Sequence, residues 1–206
     1  LPKNGKSKDV RWFEVNPCYV YHPMNAYETI EGDVLIDVSR YERAAEKDLY
    51  GPLGDTVPTI ARWTCQMRGN TARAKEERIV NAPLDFPKIN PTVEGRNYRY
   101  GYAVIATLDP SFEGAIKIYN HTGKVQHQKY NGGNASELTY IPRPGAVDED
   151  DGWLIGFVFD PSSVRSRVVI LNAKDLDGEP VASIWIPSPH VPIGTHGNWF
   201  PGYGDM

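Results

Sequence analysis

Two histidines stand in settings that suit metal binding. His22 closes the run Cys18-Tyr-Val-Tyr-His22 directly before Pro23-Met-Asn, and His196 lies in the glycine-rich, aromatic-flanked segment Pro192–Pro201. A histidine at a strand end beside small residues can aim a ring nitrogen at a shared centre, and neutral imidazole is the commonest metal ligand among side chains. Taken singly, each reads more simply as a satisfied core or turn residue. His121 and His127 fall on a hairpin and His190 between prolines, and for these the structural reading stands. Among the acids, Glu137 and Asp85 taken alone read as solvated strand-end charges. The consecutive carboxylates Asp148-Glu-Asp-Asp151 suit a hard cation by composition. Neighbours on an extended chain point opposite ways, however, so a solvated acidic turn is the better reading. No HExxH-type cluster is present, which disfavours a zinc hydrolase. Trp199 and Phe200 could line an apolar tunnel or pack the end of a domain, and packing is slightly favoured.

These residues need elements to hold them, and the pattern is one of short strands. In Asp33–Val38 the apolar Val34, Ile36 and Val38 share one face, with Asp37 and Ser39 on the other, the period of a half-buried strand. Comparable runs occur at 11–15, 18–22, 60–67, 98–108, 114–120, 125–129, 137–141, 153–160, 167–172 and 181–186. Turn chemistry punctuates them at Gly69-Asn70, Thr122-Gly123 and Asp177-Gly178. The run 73–80 has helical as well as strand propensity, and Tyr41–Leu49 is either a short helix or a loop. The expectation is an all-β, antiparallel architecture, either a sandwich or an incomplete propeller of roughly three four-stranded blades.

Composition narrows the function classes. A chain of 206 residues with 40% hydrophobic and 23% charged residues is of ordinary globular type. Its net charge of −4, with no basic run interleaved with aromatics, argues against nucleic acid as a partner. Two cysteines, Cys18 and Cys65, are too few for a disulfide framework and are expected as thiols. No transmembrane segment or signal peptide is read in this chain, so a cytoplasmic location is the default, although the compartment itself is not legible. Peripheral membrane contact is equally unreadable.

At four places the sequence resembles the carotenoid oxygenase family, which includes lignostilbene dioxygenases. The first is Arg11-Trp-Phe-Glu-Val with Pro17-Cys-Tyr-Val-Tyr-His-Pro-Met-Asn-Ala-Tyr-Glu28, and the second Leu84-Asp-Phe-Pro-Lys-Ile-Asn90 with Arg96-Asn-Tyr-Arg-Tyr100. The third is Glu137-Leu-Thr-Tyr-Ile-Pro-Arg-Pro-Gly145 followed by Asp148–Trp153, and the last His190–Pro201. They occur in the family's order and span nearly the whole chain. The resemblance implies that residues 1–206 are the C-terminal part of one seven-bladed β-propeller domain carrying Fe(II) on its axis, held by four histidines. His22 and His196 match the third and fourth of those ligands. Glu137 matches a carboxylate that orients a ligand histidine. Asp85 stands where the family usually has glutamate, so either its backbone lies closer to the imidazole or a water bridges the gap.

The activity implied is dioxygenase cleavage of a C=C bond in an extended, conjugated, apolar substrate (carotenoid, apocarotenoid or stilbene-type) to two carbonyl products. Dioxygen is the co-substrate, and no catalytic residue beyond the metal site and no organic cofactor is expected. The isolated fragment is expected to be inactive. A non-catalytic propeller that binds a partner through its loops is the alternative.

Overall fold

A computed structural model describes residues 1–44, 56–107, 112–187, 191–192, 194, 196–200 and 202. Within them the chain is a succession of antiparallel strands. The first sheet is a meander of β1 (Tyr19–Glu28), β2 (Val34–Tyr41), β3 (Thr59–Cys65) and the first part of β4 (Lys75–Lys88). Residues 75–78 of β4 pair with β3, whereas Leu84, Asp85 and Lys88 pair with β5 (Tyr100–Ala106). One strand therefore ends one sheet and begins the next, which continues through β6 (Phe112–Tyr119) and β7 (Val125–Lys129). In the third sheet β8 (Asn134–Ala135) and β9 (Thr139–Pro142) lie end to end along one edge of β10 (Gly152–Asp160). β11 (Arg165–Asn172) and β12 (Ala182–Trp185) complete it. Three such sheets packed in series are propeller blades, and the sandwich alternative falls.

The cores lie between blades. Met24, Tyr27 and Ile60 of the first blade meet Ile116 and Ile118 of the second, while Tyr102, Val104 and Ala115 meet Leu154, Val158, Val169 and Leu171 of the third. The middle sheet is thus covered on both faces, and in β2 the consecutive residues 37–39 are buried. Asp37 and Ser39, expected on a solvent face, are fully buried. Asp37 takes two 2.7 Å bonds from the Arg62 guanidinium and a 2.6 Å bond from the Tyr98 hydroxyl, and Ser39 donates to the Leu84 carbonyl. A second buried ion pair, Lys117–Asp150 at 2.7 Å, ties the middle blade to the third. Such paired burial satisfies polar groups that would otherwise be costly to desolvate.

Several expected boundaries shift. Residues 11–15 form no strand, only an isolated bridge from Glu14 to Arg73. Of the run 73–80, residues 75–80 resolve as strand inside β4. Tyr41 ends β2, and positions 45–49 of the expected helix or loop lie outside the described residues. Thr122-Gly123 makes a tight turn with Gly123 at φ +66°, and Gly69 turns at φ +82°. Among the described residues no helix is long and apolar enough to cross a membrane.

Candidate metal centre

The first strand of each blade brings a residue to one place. β1 does not stop at His22 before a turn, as expected, but runs on through Pro23 to Glu28. Register shifts at Val20/His22 and Pro23/Asn25 bracket the histidine. An edge strand with bulges tolerates proline, because its missing N–H breaks no ladder bond there. β4 carries Asp85 at its first pairings with β5, immediately before another register shift. Glu137 occupies the break between β8 and β9. Opposite that break is Gly156, where an added Cβ would lie 2.9 Å from Leu138 and 3.1 Å from the Glu137 carbonyl, so the close approach requires glycine. His196 comes from the C-terminal loop.

The four predicted residues pair as two imidazole–carboxylate couples. His22 Nδ1 lies 2.9 Å from Asp85 Oδ1, with no water needed between them. The shorter side chain thus reaches the imidazole directly. Asp85 is 2% exposed, and its other oxygen accepts a 2.5 Å bond from the Tyr41 hydroxyl. Burial alone would raise the Asp85 pKa, but hydrogen bonds from His22 and Tyr41 outweigh it and hold the carboxyl below its ordinary value. Burial, followed by the charge of Asp85, pushes the Tyr41 phenol far above its ordinary value, so it remains a donor. In the second couple His196 Nδ1 lies 2.8 Å from Glu137 Oε2, while Glu137 Oε1 accepts from the Gly197 N–H and Lys88 Nζ, each at 3.0 Å.

An ionised carboxylate only accepts, so each Nδ1 donates to its carboxylate and Nε2 is the nitrogen left to face a metal. The two rings stand 5.1 Å apart between centres at an interplanar angle of 83°. With metal–nitrogen bonds of about 2.1 Å, two imidazoles in adjacent positions on one ion have centres about 5 Å apart, whatever the angle between their planes. The residues present therefore fit two of the ligands of an Fe(II) ion. Among the described residues no group of three or more His, Cys, Asp or Glu side chains is gathered for a metal.

Other candidates fall elsewhere. His121 and His127 are exposed, and His190 lies outside the described residues. The acidic stretch is mixed: Asp148 is exposed, as a solvated turn requires, whereas Asp150 is buried, and each acid has a partner. Asp148 pairs with Lys174, Glu149 caps the Arg99 and Tyr100 N–H groups, Asp150 pairs with Lys117, and Asp151 with Arg143. Trp199 and Phe200 are exposed rather than packed, and Trp199 borders a cavity of ≈ 240 Å³ with Ile155, Phe157, Val168 and His196. Sequence reasoning missed Tyr41, Lys88 and Phe86. Phe86 packs 4.7 Å from His22, and its place inside the Leu84–Asn90 motif was the available signal.

The sequence profile described as "Retinal pigment epithelial membrane protein" matches residues 1–201. The chain is 32% identical over 216 residues to a carotenoid cleavage oxygenase of Mycobacterium tuberculosis, covering 98% of this chain and 41% of that protein. It is 28% identical over 207 residues to the apocarotenoid-15,15'-oxygenase of Synechocystis sp., covering 97% and 41%. Cobalt-substituted Synechocystis apocarotenoid oxygenase superimposes with a TM-score of 0.82 at 26% identity, over 92% of this chain and 41% of that one. The chain thus spans about two fifths of the length of these relatives.

Proposed function

Since the chain belongs to the carotenoid oxygenase family, we propose that it is the ligand-bearing C-terminal part of an Fe(II)-dependent dioxygenase that splits a conjugated C=C bond into two carbonyl products. The observation that carries this reading is the pair of imidazoles 5.1 Å apart, each with Nδ1 held by its own carboxylate. Bound Fe(II) would supply the activation of dioxygen, both of whose atoms enter the products. His22 and His196 hold the metal through Nε2, and two further histidines from the rest of the protein complete the set. Asp85 and Glu137 fix tautomer and direction, which preserves the metal's charge while keeping carboxylates off it. Phe86 and Phe112 wall the site with apolar surface. The cavity beside His196, lined by Ile155, Phe157 and Trp199, suits an extended apolar substrate. No side chain of this chain is required to transfer a proton. Carotenoid and apocarotenoid substrates are supported by the names of the relatives; a stilbene-type phenolic is the other class this chemistry serves.

The test is the full-length protein, which is expected to bind about one iron per chain and to convert an alkene to two aldehydes or ketones. Binding is expected to vanish in the His22→Ala and His196→Ala variants while folding persists. A reduced full-length preparation that takes up no iron sinks the reading. The isolated 206-residue polypeptide should be inactive and prone to aggregate, since Phe157, Ile184 and Trp185 of the third blade stay exposed. Cleavage activity from that polypeptide would refute this.

A further inference from the structure

Along a regular strand consecutive side chains point to opposite faces. Asp85 and Phe86 break that rule, because both touch the same imidazole: Asp85 at 2.9 Å through its carboxylate, Phe86 by its ring at 4.7 Å between centres. The pairing register supplies the cause. Between Asp85↔Val104 and Lys88↔Tyr102, β4 advances three residues while β5 advances two, which is a β-bulge. Phe86 sits in that bulge at φ +48°, in the left-handed region that β-carbon-bearing residues rarely occupy. Pro87 follows it, where a missing N–H costs no regular ladder bond.

The bulge aims one aromatic ring at both histidines. Phe86 meets His22 at an interplanar angle of 35° and His196 at 5.9 Å and 80°, and is backed from β6 by Phe112 at 5.2 Å. With Cγ tethered to the backbone, a hydrogen bond at Nδ1 fixes the direction of an imidazole and leaves only a limited tilt about χ2. A ring packed against its face narrows that tilt further. For His196, whose side chain is 56% exposed on a loop, Phe86 also provides a contact to the rigid β4 scaffold. We infer that Phe86 is a positioning residue for the metal centre, held in a left-handed bulge so that it and Asp85 together set both the direction and the plane of His22 and steady His196. Backbone strain retained beside the two histidines is what such a role predicts.

The inference rests on the proposed metal centre, and its test separates the two. Cobalt(II) is titrated into the full-length protein and followed by its visible ligand-field spectrum. The variants are Phe86→Ala, Phe86→Gly and Phe86→Tyr, with His22→Ala as reference. Glycine relieves the left-handed backbone while removing the ring, so Phe86→Gly should melt no lower than Phe86→Ala. Both should bind cobalt about 10-fold or more weakly, with an altered spectrum, while Phe86→Tyr retains wild-type affinity and spectrum. If Phe86→Gly and Phe86→Ala match wild type while His22→Ala loses the spectrum, the positioning role is overturned and the metal centre stands. If wild type gives no spectrum, or His22→Ala gives the same one, the metal centre falls and the role of Phe86 with it.

Discussion

The His22–Asp85 and His196–Glu137 couples use the same chemistry but are built differently. In the first, both members sit on strands of adjacent blades, and the third partner, Tyr41, is fully buried on β2. The sheet places His22 whether or not Asp85 is there. In the second, a loop carries His196, and Glu137 grips that loop at two points, the imidazole and the Gly197 N–H, while Lys88 steadies it from β4. The carboxylate of the first couple orients a ligand already in place. That of the second assembles the ligand's position. One site can therefore combine a preorganised half with a half whose order depends chiefly on one carboxylate.

The contrast is broken most directly by removing each carboxylate in the full-length protein. Glu137→Ala should weaken metal binding by about 100-fold, the upper end for a lost ligand-orienting partner. It should release residues 196–200 to rapid amide exchange and leave the melting temperature almost unchanged, because Lys88 can turn to water. Asp85→Ala should do the reverse, weakening binding by about 10-fold. Its larger effect is on stability, by about 1–3 kcal/mol, because the Tyr41 hydroxyl is left buried without an acceptor. Equal effects of the two substitutions on both measurements would show that the couples are equivalent and remove the distinction.

How far this was legible in the sequence follows from the same features. Strand positions came through period-two patterning, since each blade must bury alternate residues. Asp37 and Ser39 misled because the pattern reports polarity, not solvent, and their row is buried against Arg62, Tyr98 and the Leu84 carbonyl. His22, Asp85 and Glu137 were found by motif resemblance. Their geometry was out of reach because each lies at an irregularity: the shifts around His22, the bulge after Asp85 and the β8–β9 break at Glu137. Such irregularities depend on the partner strand's register, which no local window contains. Tyr41 escaped for a related reason: it lies at the end of β2, 44 residues from the aspartate it serves.

Two smaller substitutions sharpen the comparison. Tyr41→Phe keeps the ring and deletes only the donor to Asp85. A hydrogen bond to a buried charged group contributes about 1.5–3 kcal/mol, and thermal or denaturant unfolding should show a loss in the lower part of that range, since His22 still holds the other oxygen. Lys88→Met should have the smallest effect. The Lys88 side chain is 32% exposed while Glu137 is nearly covered, so the pair's attraction is partly screened and its loss should cost below about 1 kcal/mol. Glu137 keeps the two bonds that matter for the loop, to His196 and to the Gly197 N–H, so amide exchange at 196–200 should rise only slightly. If Lys88→Met instead frees that loop as fully as Glu137→Ala does, the cation, rather than the carboxylate's grip on two loop atoms, is what orders the second half of the site.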